Sequence, residues 1–359
     1  MPVLLTLRPV LLSAAVIMRI FSPQEKKMLY PEDAILLAPL AGFTDQAMRR
    51  ACARHGCKYS FAEMIDAGSL VYGNEKTFRL AERAADETFL GIQLVGSEPD
   101  LLKKAVEIVN SRNYDVLDFN LGCPAPKVEK KCEGAAFALH RPDEAVRMTE
   151  LLVKHSRIPV TVKTRILSRE NPEQTVAFLK RLESTGIAAL TLHGRIAKEF
   201  YSGEPAREII SAAREALSIP LIANGGVMSK ANYDVMRRES GCSRVMLARG
   251  AMGNPWLFAE LTDPDFRPPT VEELAEEIRL HVEDMLDWYG EEVGFRACRK
   301  VVLEYLRGRG YPGSLRATAS FLSTRAGLAE LLNEVRRGPA EGFWTFLKNN
   351  PESPRQLSQ

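Results

Sequence analysis

Cys123 stands in Asn120-Leu121-Gly122-Cys123-Pro124, directly after the strand-like run 114–119. A thiol on a turn shaped by Gly and Pro, beside an amide that both donates and accepts, is poorly suited to filling a core. It is well suited to meeting a substrate. Thiols titrate at about 8.5, so they are mostly protonated at neutral pH and can serve as general acids. Lys163 closes another apolar run, Val160-Thr161-Val162-Lys163. A lysine aimed into a cavity can balance a developing anion; a Schiff base, as in barrel aldolases, is the rival role. His193-Gly194-Arg195 follows a further run, and so do Asn224-Gly225-Gly226 and Ala248-Arg249-Gly250. Glycines in the last two loops let backbone N–H groups approach a phosphate, and Arg249 adds a cation.

These residues need a scaffold that collects strand ends. From Ala34 onward, short apolar runs alternate with amphipathic stretches. The strands expected are 34–38, 58–62, 88–95, 116–120, 158–163, 188–193, 219–223 and 244–248. Between them lie helical patterns such as 100–111, 142–155, 172–185 and 207–217. Eight βα units predict a (β/α)8 TIM barrel with its site on the loops that follow the strands. Pro39, Glu63, Gln93, Asn120, Lys163, His193, Asn224 and Arg249 would then converge on one mouth. A doubly wound sheet is the alternative, but no Gly-x-Gly-x-x-Gly follows the first strand.

After Pro268-Pro269 the strand pattern stops. Helices are expected over 271–289, 295–309, 315–325 and 328–335, so a smaller all-α helical domain follows the barrel. The division is an N-terminal extension over 1–33, a barrel over 34–265, a helical domain over 268–340 and a tail over 341–359. Residues 351–359 are expected to be disordered. The stretch from Gly294 to Arg337 carries nine Arg or Lys against three Glu. A solvated helix surface would explain that charge, and so would a phosphate-contacting face made of Arg296, Arg299, Lys300, Arg307, Arg309 and Arg316.

The chain's 359 residues are 45% hydrophobic and 26% charged with net charge +2, an ordinary globular balance in which any basic footprint must be local. Six cysteines without Cys-x-x-Cys spacing argue against structural zinc and against a secreted disulfide scaffold, and for a reduced, cytoplasmic setting. No metal site is expected. Pro9 to Met18 is apolar but too short to span a bilayer, so no membrane partner is expected.

Taken in order, Ala38 to Asp45, Glu63-Met64, Gln93 to Gly96, Asn120 to Pro124, Lys163, His193 to Arg195, Asn224 to Gly226 and Ala248-Arg249 resemble the dihydrouridine synthases, FMN-dependent enzymes that modify RNA. The resemblance covers about 34–260, and the helical part matches the family's RNA-binding domain more weakly. It implies that Pro39, Leu40, Ala41, Gln93, Lys163, His193, Asn224, Gly225, Gly226, Ala248 and Arg249 contact FMN. It further implies that Asn120 and Arg195 face the uracil and that Cys123 is the catalytic acid. The reaction would reduce the C5–C6 double bond of a uridine in RNA, with tRNA as the expected substrate, NADPH or NADH as reductant and the chain acting as a monomer. Three positions depart from the family pattern: Gly226 replaces an Asp, Ala248 a Gly and Ile196 a Thr. Two other readings compete: an FMN barrel acting on a free pyrimidine, of the dihydroorotate type, and a non-catalytic RNA-binding protein.

Overall fold

The computed structural model describes residues 29–358. Eight strands close into a parallel barrel in chain order: β1 Ile35–Leu37, β2 Tyr59–Asp66, β3 Leu90–Val95, β4 Val116–Leu121, β5 Val160–Arg165, β6 Ala189–His193, β7 Leu221–Asn224 and β8 Arg244–Leu247. All eight expected strands form. β2 runs further than expected, through a register shift between Phe61 and Met64, so Glu63 lies inside the strand rather than after it. The apolar run Pro9–Met18 falls outside the described residues.

Successive strand residues point to opposite faces. Leu117, Phe119 and Leu121 belong to the large core between strands and surrounding helices. Val116 belongs to a second, smaller core inside the barrel with Leu36, Phe61, Ala189, Ile222 and Met246. Gly91 is needed there, because a Cβ at that position would lie 2.3 Å from the Phe61 ring. Tyr30 packs edge-on against Tyr59 at 5.5 Å and tilted against Phe89 at 5.9 Å, closing the end where the strands begin. Apart from Arg244, whose Nε donates to the Tyr30 carbonyl at 3.2 Å, that end is filled by apolar side chains, and the inward-facing polar groups of the site lie toward the opposite end, where the strands finish.

The helical domain holds Val271–Tyr289, Glu291–Leu306, Gly313–Ser320, Arg325–Arg336 and Glu341–Asn349 around their own apolar core. The first has the expected bounds, fixed by a reciprocal cap between Thr270 and Glu273. Ion pairs and a hydrogen bond tie this domain to the barrel: Arg54 reaches Glu277 at 2.7 Å and Asp284 at 2.8 Å, and Tyr289 donates to Asp45 at 2.9 Å. Among the described residues no helix is long and apolar enough to cross a membrane.

The tail departs from expectation. Residues 341–349 form a helix, and the segment expected to be disordered is docked: Leu357 is buried, and Arg355 donates to the carbonyls of Glu304, Arg307 and Met252. The physical reason is the end of the helix Glu291–Leu306, whose last carbonyls have no partner within the helix. A single guanidinium satisfies several of them at once.

Candidate active site

Gln93, Asn120, Lys163, His193 and Asn224 meet at the strand ends, held by strand register: Gln93 pairs with Asp118, Asn120 with Lys163, and His193 with Asn224. On the β3–β4 side the side chains bond one another. Asn120 Oδ1 accepts from the backbone N–H of Gly122 at 3.0 Å and of Cys123 at 2.9 Å, which shapes the turn carrying the thiol. Asn120 Nδ2 donates to Gln93 Oε1 at 2.8 Å. Cys123 is itself partly exposed, and its carbonyl accepts from Ala135 N–H at 3.1 Å. That anchors the far end of its loop.

The β5–β8 side is cationic. Lys163 Nζ donates to Asn224 Oδ1 at 2.9 Å, and Asn224 Nδ2 donates to the Met246 carbonyl at 2.8 Å. Burial, then the Arg165 charge, push Lys163 down to about 8. His193 is held well below its ordinary value by burial and by Lys163, Arg165, Arg195 and Arg249. Arg195 is also lowered, by burial and by Arg249. None of Lys163, Arg165, Arg195 and Arg249 forms an ion pair among the described residues; Arg249 instead stacks 4.4 Å from the Tyr201 ring centroid.

That arrangement fits a bound phosphate. Gly225 and Gly226 have φ of +119° and +73°, and a Cβ on Gly225 would lie 2.6 Å from the His193 ring. Only glycine lets this loop lie so close, with its backbone open to an anion. Several buried cations without a carboxylate partner are costly unless a ligand supplies the charge. The phosphate of a flavin mononucleotide is an anion of the required kind, so the residues present suit that cofactor.

Arg195, expected with Asn120 to face the uracil, is anchored in the loop after β6. Its Nε donates to the carbonyls of Ser202 and Gly203, both at 3.0 Å, and its Nη1 lies 3.3 Å from His193 Nε2. It braces the loop after β6 next to the glycine pair. Pro39, Leu40 and Ala41 follow β1 at the same end of the barrel; Leu40 N–H donates to Thr44 Oγ1 at 2.8 Å, and the next turn is held by Glu63, which accepts from Gly42 N–H. Ala248 follows β8 with φ −131° and ψ −105° and opens the short turn carrying Arg249.

The six basic residues of the helical domain do not share one face. Arg309 must be withdrawn as a nucleic-acid contact. It is fully buried, donates to Gly253 O, Tyr305 O and Asn254 Oδ1, and lies 5.7 Å from the Trp256 ring centroid. Its charge is consumed in joining the helical domain to the loop after β8. Arg299 is half-buried and braces Leu322 O at 2.8 Å. Lys300 reaches across to the Gly42 carbonyl and sits 4.8 Å from the Phe43 ring centroid, so it belongs to the barrel mouth. Arg296, Arg307 and Arg316 remain exposed.

Two residues were missed. Arg165 ends β5, donates from Nε to Gly122 O at 2.8 Å and from Nη1 to Phe200 O at 3.1 Å, and so straps the Cys123 turn to the loop after β6. Asp118 lies wholly buried in β4. Each sits two residues from an expected site residue, Lys163 and Asn120, and therefore on the same strand face. That period of two was the available signal.

The fold and site define a barrel of the (β/α)8 class whose strand ends carry a cationic, glycine-lined cluster suited to a phosphate, with a protein thiol on an adjoining loop. The particular family follows from comparison with known proteins. The family model described as dihydrouridine synthase (Dus) matches residues 36–337, and the chain belongs to that flavin-dependent enzyme family. It is 35% identical to tRNA-dihydrouridine synthase B of Pasteurella multocida, over 77% of this chain and 85% of that one. With tRNA-dihydrouridine synthase B of Vibrio parahaemolyticus it shares 32%, over 79% and 89%. A probable tRNA-dihydrouridine synthase of Rhizobium leguminosarum is 35% identical, over 76% and 84%. The match extends into the helical domain as far as residue 337, and the free-pyrimidine and non-catalytic readings fall away.

Proposed function

We propose that this chain reduces the C5–C6 double bond of uridines in tRNA to dihydrouridine, with FMN as its flavin and NADPH (or NADH) as the reductant. The observation that carries the reading is the Cys123 turn, pinned by Asn120 at the same barrel mouth as the unpaired cations and glycine loop. The hydride for C6 of the uracil would come from a bound, reduced FMN. Cys123 supplies the proton that C5 requires, so hydride and proton together account for the two hydrogens added. Asn120 keeps the thiol on its turn and has a second amide hydrogen to offer the base. Arg249, Gly225 and Gly226 hold the phosphate, and Lys163 balances anionic charge beside the flavin. Arg296, Arg307 and Arg316 meet RNA phosphates, with Lys300 at the border between the two domains. The identity of the relatives supports tRNA as the substrate.

The test has two arms. Purified chain with FMN, NADPH and unmodified tRNA should form dihydrouridine, and tRNA from a strain lacking the gene should lose it at defined positions. An unchanged dihydrouridine profile together with an inactive purified protein would defeat the reading.

A further inference from the structure

Asp118 occupies a position where a carboxylate is expensive. It is 1% exposed, inside the barrel, with its two oxygens in different bonds. Oδ1 accepts from Thr161 Oγ1 at 2.6 Å and Oδ2 accepts from Gln93 Nε2 at 2.6 Å. Gln93, Asp118 and Thr161 are register partners on β3, β4 and β5, so the sheet itself sets these contacts. The bonds continue in one direction. Gln93 Oε1 accepts from Asn120 Nδ2, and Asn120 Oδ1 accepts from the N–H groups of Gly122 and Cys123. Every donor in the chain points toward Asp118, and the sequence Cys123, Asn120, Gln93, Asp118 ends on an anion.

We propose that Asp118 is a positioning residue that fixes the direction of this amide relay and thereby the placement of the Cys123 thiol. The physical reason is asymmetry. A primary amide can be turned over with little change in shape, exchanging donor for acceptor. An ionised carboxylate only accepts, so Gln93 must present Nε2 to it and Oε1 to Asn120. Asn120 must then present Nδ2 to Gln93 and keep Oδ1 for the turn. Were Gln93 inverted, it would aim oxygen at the carboxylate and N–H at Asn120 Nδ2; were Asn120 to invert in turn, it would aim N–H at two backbone N–H groups and the turn would lose its anchor. The aligned dipoles also strengthen one another along the chain. Burial pushes the Asp118 carboxyl up to about 6, opposed by the Thr161 and Gln93 bonds and by the Lys163 charge, so the group is acceptor-only at neutral pH and above.

The same relay decides what the two amides have left. Each amide nitrogen uses one hydrogen inside the chain and keeps one. Gln93 and Asn120 therefore offer donors, rather than carbonyl oxygens, to whatever occupies the mouth.

The inference rests on the proposed reaction for its kinetic arm, but a second arm does not depend on it. Two variants are compared with wild type, Asp118→Asn and Asp118→Val. The isosteric Asn can bond either way round and removes only the directional constraint; Val removes the acceptor altogether. In the protein freed of flavin, the rate at which iodoacetamide alkylates Cys123 is measured at pH 7.5, with Cys123→Ala giving the background from the other five thiols. The expected result is a rate altered at least threefold in Asp118→Asn and more in Asp118→Val, at unchanged helical content by circular dichroism. In the flavin-loaded protein, kcat for dihydrouridine formation should fall about tenfold for Asn and about a hundredfold for Val, the scale of a small misplacement of a reacting group. KM for tRNA should stay within twofold, because RNA is held elsewhere. Folded variants that match wild type in both alkylation and kcat would overturn the inference. If alkylation shifts while wild type itself reduces no uridine, the functional reading fails and the relay stands.

Discussion

The two halves of the barrel mouth are built on opposite principles. Around β3 and β4 the polar groups are bonded to one another: Asp118, Gln93, Asn120 and the turn at Cys123 form one connected chain. Around β5 to β8 they are open: Arg249, Arg195 and Lys163 bring positive charge together without an ion-pair partner among the described residues. A closed network holds a geometry; an open cluster of one sign holds a vacancy for a charge. In the proposed function that difference separates two tasks: placement of a proton donor on one half, retention of an anionic cofactor on the other.

The strongest way to break that division is to remove the thiol. Cys123→Ala should retain flavin and its reduction by NADPH but lose ~10²–10⁴-fold in dihydrouridine formation, the usual worth of a general acid. Cys132→Ala, in the same loop with its Sγ toward the Ala136 carbonyl, should lose little. Activity of Cys123→Ala equal to wild type, measured in single-turnover reduction of tRNA, would remove the proton-donor half of the comparison.

The complementary variant is Arg249→Ala. It should weaken FMN binding by about tenfold, on the scale of one charge-assisted contact, and leave iodoacetamide reactivity of Cys123 unaltered. Titration of flavin fluorescence with apo-protein checks it. Equal affinity of variant and wild type would show that the cationic half does not serve the phosphate.

RNA binding tests a third region and sharpens the contrast with both halves. Arg296→Ala and Arg316→Ala should each reduce the slope of log affinity against log salt by roughly 0.7–0.9. Arg309→Ala should not alter the slope in any fraction that folds, since its guanidinium is buried. Filter binding of tRNA across a salt series distinguishes them.

The smallest effect concerns the cost of the open cluster itself. Lys163 is held at about 8 by burial and by Arg165, below the ~10.4 of a free lysine. The folded chain thus releases this proton more readily than the unfolded one. The destabilisation is complete below about pH 8 and fades as pH rises toward ~10.4. Lys163→Met should therefore raise the melting temperature of the apo-protein by a few degrees at pH 7, and by less at pH 10. An equal shift at both pH values would mean that the lysine is not strained by its surroundings.

Much of this site was legible because its residues lie at the ends of apolar runs. His193 and Asn224 each close a strand and Lys163 lies two residues from the end of its own, and in a closed parallel barrel every strand end reaches one mouth. Asp118 and Arg165 were less legible. A charge inside or just past an apolar run reads as a local irregularity until its partners on neighbouring strands are known. Arg309 misled for the converse reason. Among Arg296, Arg307 and Arg316 it reads as one more surface cation, yet a turn between Gly308 and Gly310, with φ of +70° and +71°, directs it inward onto Trp256.

The sequence by itself determined the eightfold strand–helix alternation, the helical domain after Pro269, and the family motifs that carry thiol, lysine and phosphate loop. Those are local matters: periodicity, turn residues and spacing are properties of neighbours in the chain. Only the tertiary structure decided which cations are free and which are spent, and in which direction the amides at the mouth point. Both depend on partners 25 to 61 residues away, such as Asp118 for Gln93 and Asn224 for Lys163. A side chain's charge is written in its own residue type, but its availability is set by what the fold places against it.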